Sequence, residues 1–269
     1  MIQQSQIEAW LAEDLGHHDV TNDVPGETIG ELVAKEAGVA AGFDAAVATY
    51  EYLGVEIEPT VETGERFEPG TTLVRCTGPA QAVLRGERVV VNVVAHAAGI
   101  ATRTRAAVDA ARTVDDAVRI ACTRKTTPGL RGIEKRAVVA GGGDTHRLDL
   151  SHMVMIKDNH IAELGLERAI NHMRERVSFT TKIEVEVETP AAAATAAAAG
   201  ADIVLLDNMD PATVTEAVAG LPEHTLAEAS GGITIETVPD YAATGVDVIS
   251  MGSLTHSAPS LDLSFRTGS

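Results

Sequence analysis

Six short apolar runs recur in the second half of the chain, and a polar, glycine-rich or helical stretch follows each of them. The runs are AVRIAC (117–122), MVMI (153–156), IEVEVE (183–188), DIVLLD (202–207), TLAEA (225–229) and VDVISM (246–251). Strands that are almost continuously apolar and alternate with helices predict a parallel sheet. Six units at this spacing favour a closed (β/α) barrel, with an open doubly wound sheet as the alternative.

One connection in this half has clear helix signals. In TPAAAATAAAAG, Thr189 is suited to the N-cap, Pro190 to the first helical position and Gly200 to the C-cap. The first hundred residues differ, because they predict a mixture of helices and short strands. Residues 4–16 have the apolar spacing of a helix, and residues 86–112 form a longer apolar helix.

Positive charge is scarce in this chain. Lysine and arginine number 21 against 39 acidic residues, which gives a formal net charge of -18, and only five of the basic residues are lysines. An acidic, lysine-poor composition predicts a halophilic protein, whose carboxylates keep the surface hydrated at high salt. A surface of this sign disfavours general nucleic-acid binding, which needs a basic face.

The sequence carries no targeting, membrane or disulfide signal. The first ten residues lack the basic start and apolar core of a signal peptide. No apolar run approaches the ~18 residues needed to span a bilayer. Cys76 and Cys122 form neither a disulfide framework nor a zinc motif. We therefore expect a cytoplasmic protein without a membrane partner.

The segment TRKTTPGLRGIEKR (123–136) nevertheless gathers five basic residues around a single acid, Glu134. In so acidic a chain, this grouping favours a shielded pocket for an anionic ligand over a solvated helix face. Arg124 and Lys125 also directly follow the first predicted strand of the barrel. The carboxyl ends of the strands form the active site in barrels of this kind.

The other predicted strands end in residues that suit the same site. Lys157 follows the second strand, Glu184 and Glu186 share one face of the third, and Asp207 closes the fourth. Carboxylates at this edge suit a divalent metal such as Mg²⁺, or the hydroxyls of a sugar. His146 stands in the loop before the second strand, where a structural role and a catalytic role both remain open.

The fifth and sixth strands lead into the glycine-rich turns SGGIT (230–234) and GSLTH (252–256). Turns of this type present backbone N–H groups to phosphate. The chain has no nucleophile elbow, P-loop or GxGxxG fingerprint. The residues therefore favour group transfer from a phosphorylated sugar. A barrel lyase with a Schiff base on Lys125 or Lys157, and a non-catalytic phosphometabolite-binding protein, remain the alternatives.

Longer motifs add a family resemblance. The segments EDLGHHDVT, TRKTTPGLRGIEKRAVVAGGGDTHRLDLSHMVMIKDNHI, IEVEVET, EASGGIT and GVDVISMGSLTHSAPSLDLSF closely resemble quinolinate phosphoribosyltransferase, and the match covers nearly the whole chain. The resemblance implies an α/β fold: an N-terminal α/β sandwich over residues 1–105 and an incomplete (β/α) TIM-like barrel over residues 106–256. A tail of about residues 257–269 would pack back on the first domain.

The implied reaction joins quinolinate to 5-phosphoribosyl-1-diphosphate with Mg²⁺. It yields nicotinate mononucleotide, diphosphate and CO₂ for NAD synthesis. The resemblance also implies a homodimer or larger assembly, in which Arg88 reaches the active site of the neighbouring subunit. The nearest rival is a relative that uses nicotinate, or one associated with molybdenum transport.

The resemblance assigns three sets of site residues. Lys125, Glu186 and Asp207 would be catalytic, and Glu186 and Asp207 would also hold the metal. The substrate-binding residues would be Arg88, Thr123, Arg124, Lys125, His146, Arg147, Lys157, Glu186, Asp207, Ser230, Gly231, Gly232, Gly252, Ser253 and His256.

Overall fold

The structure of the protein is a computed structural model, and it describes residues 2–268. Its helices and strands, in chain order, are α1 (Gln4–Leu15), β1 (Glu27–Ala34), β2 (Gly38–Val39), α2 (Phe43–Tyr52), β3 (Glu56–Pro59), β4 (Arg66–Phe67), β5 (Thr72–Pro79), α3 (Ala80–Arg112), β6 (Arg119–Ala121), α4 (Arg131–Ala140), β7 (Val154–Ile156), α5 (Asp158–Leu164), α6 (Leu166–Arg174), β8 (Ile183–Val187), α7 (Pro190–Ala198), β9 (Ile203–Asp207), α8 (Pro211–Ala219), β10 (Leu226–Ser230), α9 (Val238–Ala242), β11 (Val248–Ser250), α10 (Ser253–His256) and β12 (Leu263–Thr267).

The chain divides into two compact units. The first comprises the residues up to Arg105, residues 127–142 and the residues from Ser257 onward, and the second comprises residues 106–126 and 143–256. The sequence had placed residues 127–142 in the barrel. In the structure they group with the first unit, where Arg136 of α4 pairs with Asp44 at 2.7 Å and Glu134 of α4 pairs with His96 at 2.9 Å.

The first unit is built on an antiparallel sheet of four strands in the order β12-β1-β5-β3. Strand β12 comes from the end of the chain and pairs with β1, for example Leu263 opposite Ala34. The core of this unit contains few aromatic residues. Leu32, Leu73 and Tyr50 are among its largest fully buried side chains, and the Tyr50 hydroxyl donates to the Val83 carbonyl at 3.2 Å.

The second unit contains a parallel sheet of six strands in the order β6-β11-β10-β9-β8-β7. The first strand of the unit is therefore a neighbour of the last, which is the order of a barrel and differs from that of a doubly wound sheet. Asp144 extends the other edge of β6 through a parallel bridge with Ala121. Among the described residues, β6 and β7 remain the two sheet edges, so the barrel is incomplete.

Local sequence explains the strands and helices of this unit. In β8, Ile183, Val185 and Val187 are buried on one face, while Glu184 and Glu186 alternate with them on the other. The predicted N-cap of α7 is confirmed, since the Thr189 side chain accepts from the backbone N–H of Ala192 at 3.2 Å. The predicted C-cap is wrong by one residue, because Ala199 is the C-cap and Gly200 follows it with a φ of 95°. No described helix combines the length and the apolar character that a membrane crossing requires.

Candidate active site

Strand register places four residues at one level of the parallel sheet. Ala121 pairs with Ser250, Ser250 pairs with Ser230, and Ser230 pairs with Asp207 across four neighbouring strands. The residues that continue from these positions leave the sheet on its carboxyl edge. The loops after β6, β9, β10 and β11 therefore begin side by side, which is the arrangement that a barrel active site requires.

The loops after β6 and β11 are in direct contact. A Cβ atom added to Gly252 would lie 3.1 Å from Cδ of Lys125, 3.3 Å from Oγ1 of Thr123 and 3.4 Å from Cδ2 of His256. The Thr255 hydroxyl also donates to the Lys125 carbonyl at 2.7 Å. Gly252 thus leaves room for the Lys125 side chain beside the start of the short helix α10.

The loops after β9 and β10 are held together by Asn208, which the sequence prediction had missed. Its backbone N–H donates to the Ser230 carbonyl at 2.9 Å, and its side-chain amide donates to Asp207 at 2.7 Å. Asn208 has a φ of 55°, a left-handed conformation that asparagine tolerates better than most residues. An asparagine directly after an apolar strand was the only available signal for this role.

Gly231 is required beside Asn208. Its φ is 98°, and an added Cβ atom would lie 2.8 Å from the backbone nitrogen of Asn208. Gly232 follows with a φ of 63°. These two conformations turn the backbone of the SGGIT segment directly over the end of β10, so its N–H groups are available at the carboxyl edge.

Acidic and basic side chains alternate around β7 and β8. The Lys157 ammonium donates to Glu186 in a close ion pair. Arg147 is 8% exposed and directs Nη2 toward Sδ of Met155 at 3.1 Å. Burial and the charge of Arg124 lower the pKa of Arg147, while Glu184 and Glu186 act in the opposite direction. Two arginines of like charge are thus held near each other beside buried carboxylates.

His146 lies further into the interior of the barrel than these side chains and contacts two buried glutamates. Its Nε2 is 3.0 Å from Glu228 Oε2 and 3.4 Å from Glu184 Oε2. Burial opposes the charged ring, but the contacts with the two glutamates outweigh it and raise the pKa of His146 to about 10. The Arg147 N–H, 2.6 Å from Nδ1, would instead suit a neutral ring. Where Nδ1 accepts this bond, Nε2 carries the proton that is donated to Glu228.

Arg88 belongs to the first unit and not to the group described above. It lies on α3 with its side chain 58% exposed, 3.7 Å from Glu87. It lines a cavity of 570 Å³ together with Trp10 of α1, His96 of α3 and residues of the 128–133 segment. The assignment of Arg88 to a neighbouring subunit's active site stays a prediction.

The predicted site residues of the second unit fall into three groups on its carboxyl edge or directly beneath it. The first contains Thr123, Lys125, Gly252 and His256, the second contains Asp207, Ser230 and Gly231, and the third contains Arg124, His146, Arg147, Lys157 and Glu186. Ser253 begins α10 directly after Gly252. The predicted set lacked Asn208 of this edge and Glu228, which lies in the interior in the middle of β10.

Comparisons with known proteins agree with this geometry. Residues 19–98 match the family model of the quinolinate phosphoribosyl transferase N-terminal domain, and residues 100–266 match that of its C-terminal domain. A probable nicotinate-nucleotide pyrophosphorylase (carboxylating) of Methanothermobacter thermautotrophicus is 44% identical over 97% of both chains. The human nicotinate-nucleotide pyrophosphorylase (carboxylating) is 40% identical over 97% of this chain and 90% of its own.

Solved structures extend the agreement to the fold. The crystal structure of NadC from Streptococcus pyogenes superposes with a TM-score of 0.92 at 38% identity, covering 98% of this chain and 95% of that one. The resemblance predicted from the motifs is thereby confirmed. The chain belongs to the quinolinate phosphoribosyltransferase family.

Proposed function

We propose that this chain transfers the phosphoribosyl group of 5-phosphoribosyl-1-diphosphate to quinolinate and removes one carboxylate as CO₂. The products are nicotinate mononucleotide and diphosphate. The observation that carries this proposal is the group of cations at the carboxyl edge of a barrel in a chain of net charge -18. The buried Nε of Arg124 has no partner within the described residues, as expected of a side chain that awaits an anionic ligand.

In the proposed complex, Arg124, Arg147 and Lys157 hold the two carboxylates of quinolinate. Arginine suits this task because its planar fork donates two parallel hydrogen bonds to one carboxylate. The turns at Gly231 and Gly252 receive the phosphate and diphosphate groups through backbone N–H donors. Thr123, Ser230, Gly232, Ser253 and His256 complete this phosphate-binding surface.

The chemistry needs no strong base. The pyridine nitrogen attacks C1 of the ribose while the bond from C1 to the diphosphate oxygen breaks. The positive charge that develops at C1 is stabilised by nearby carboxylates, for which Glu186 and Asp207 are placed. Lys125 neutralises the departing diphosphate. The quaternary nitrogen then accepts the electrons of the C2–carboxylate bond as CO₂ leaves, and a proton from solvent replaces the carboxylate at C2.

Mg²⁺ is the cofactor we propose for this site. Glu186 and Asp207 offer carboxylate oxygens, the ligands that Mg²⁺ prefers, and both stand at the carboxyl edge of the sheet. The ion would neutralise charge on the diphosphate when bound. We also propose a homodimer in which Arg88 enters the partner's site, and a cytoplasm of high salt as the setting.

Turnover assays with matched acids test the substrate. In high-salt buffer with Mg²⁺ and 5-phosphoribosyl-1-diphosphate, quinolinate should release CO₂ and diphosphate in equal amounts, and nicotinate should react far more slowly. Lys125→Ala should abolish most of this turnover. Lys35→Ala, at an exposed lysine that pairs only loosely with Asp262 at 3.8 Å, is the matched control and should retain it. Equal or better turnover of nicotinate would contradict the proposal.

A further inference from the structure

We propose that Glu184 and Glu228 are positioning residues, which hold the imidazole of His146 and thereby direct Arg147 into the site. This inference rests on the proposed function, since Arg147 is taken to bind a carboxylate of quinolinate. Neither glutamate is expected to touch substrate. Their role is to fix the segment from which the arginine projects.

The contacts that support this role lie in the interior of the barrel. Glu184 is 0% exposed and Glu228 is 1% exposed, so both carboxylates have left water altogether. His146 Nε2 reaches both of them, at 3.4 and 3.0 Å. Buried carboxylates of this kind persist only when charged or hydrogen-bonded partners compensate them. The imidazole is the partner that the structure provides, and it ties together β8, β10 and the segment beside β6.

The backbone at His146 needs such an anchor. Its φ of 50° is uncommon for a residue with a Cβ atom and is maintained only where the surroundings enforce it. Two residues earlier, Asp144 is fixed to β6, because its N–H donates to the Ile120 carbonyl at 2.7 Å and its carbonyl accepts from the Cys122 N–H. The His146 N–H in turn donates to the Asp144 carboxylate at 2.7 Å. With the imidazole fixed as well, the direction of the next residue is determined.

Arg147 is the residue that this anchor positions. Its guanidinium lies in the field of Arg124, and like charges repel each other more strongly where water is excluded. Without a rigid base, the side chain would move away from Arg124 when no ligand is bound. A fixed base keeps two arginines close enough to bind one dicarboxylate, and this preorganisation lowers the cost of binding.

The same three side chains could instead ligate a cation, since their donor atoms lie within 4.8 Å of one another. We favour the positioning role because a hydrogen bond from Nε2 already joins the imidazole to Glu228. The two possibilities differ in a direct measurement. Elemental analysis of the purified protein after dialysis should find no stoichiometric transition metal, and one tightly held ion per chain, lost in Glu228→Gln, would overturn the proposal.

A double-mutant cycle tests the link to Arg147. Glu228→Gln and Glu184→Gln keep the shape of each side chain and replace its carboxyl group with an amide. Each should lower kcat/KM for quinolinate by roughly 10- to 100-fold, the range expected for a misplaced charged contact. The KM for 5-phosphoribosyl-1-diphosphate should change by less than about threefold. In an Arg147→Ala background the same changes should add almost nothing, because the residue they position is absent.

Val204→Ala is the matched control for general destabilisation. Val204 is fully buried in β9, and its truncation removes core packing without touching the cluster. It should lower the melting temperature and leave the KM for quinolinate unchanged. Additive losses in the cycle, or equal losses for both substrates, would overturn the inference. Absence of quinolinate turnover in the unaltered protein would overturn the proposed function itself, and this inference with it.

Discussion

Arg147→Met separates the contribution of Arg147 to binding from its contribution to stability. Arg147 is 8% exposed, and the net effect of its surroundings lowers its pKa, first through burial and then through the charge of Arg124. In the ligand-free protein, the positive charge is therefore disfavoured at this position. Methionine has a similar length and can pack beside Met155, which Nη2 of Arg147 now approaches at 3.1 Å.

The variant should lower kcat/KM for quinolinate without lowering the free energy of unfolding. A charge-assisted hydrogen bond to a carboxylate contributes about 1.5–3 kcal/mol, so kcat/KM for quinolinate should fall by about 10- to 150-fold. The free energy of unfolding should stay the same or rise, because a disfavoured buried charge is removed. Steady-state kinetics and denaturant unfolding, both in high-salt buffer, measure the two quantities.

Two results would refute this reasoning. A change in kcat/KM below about threefold would mean that Arg147 makes no charge-assisted contact with the substrate. A loss of more than about 1 kcal/mol in unfolding free energy would mean that the guanidinium stabilises the ligand-free fold, contrary to its surroundings.

Three further predictions concern the turn after β10, the β8–β9 connection and the metal. Gly231→Ala should lower kcat/KM for 5-phosphoribosyl-1-diphosphate by up to roughly 100-fold, since the added methyl group displaces Asn208 and with it the phosphate turn. Gly220→Ala is the control, because the nearest atom to its added methyl group would be 3.5 Å away. Equal kinetics of the two variants would contradict the assignment. Asp202→Asn should cost about 1–2 kcal/mol of unfolding free energy at pH 7, because the carboxylate accepts from Arg174 at 2.7 Å and from the Ile183 N–H at 2.8 Å. Although burial raises the pKa of Asp202, these hydrogen bonds lower it below its ordinary 3.8, so the stabilisation is present at neutral pH and is lost as the pH falls below 3.8. A pH series of unfolding curves with Asp240→Asn as control checks this. An unchanged loss of stability at acid pH in Asp202→Asn would refute it. Chelation of Mg²⁺ should lower turnover by at least roughly 100-fold and its return should restore it, while undiminished activity in chelator would exclude the metal role of Glu186 and Asp207.

The sequence predicted the barrel well because the relevant signals are local. Apolar runs mark the strands, and the residues that end each run lie on the carboxyl edge by the geometry of a parallel sheet. Lys125 and Gly252 are 127 positions apart and still meet in the structure, because β6 and β11 are neighbours. In a barrel the first strand lies beside the last, so the prediction of a barrel also predicts that β6 and β11 are neighbours.

Other parts of the structure depend on contacts that no local pattern encodes. Glu228 lies in a short strand that reads only as apolar, and its role depends on His146, 82 positions earlier. The grouping of α4 with the first unit depends on contacts with α2 and α3, among them Arg136 with Asp44 and Glu134 with His96. The left-handed backbone of Asn208 depends on the approach of the turn at Gly231. Each of these contacts joins residues that are remote in sequence.

A crystal structure with quinolinate bound is the most direct test of the cation-lined edge as a dicarboxylate site. We predict that the two carboxylates lie within hydrogen-bonding distance of Arg124 and Arg147, with Lys157 turned from Glu186 toward the ligand. Quinolinate bound elsewhere, or bound at this edge with both arginines directed away from it, would contradict the account.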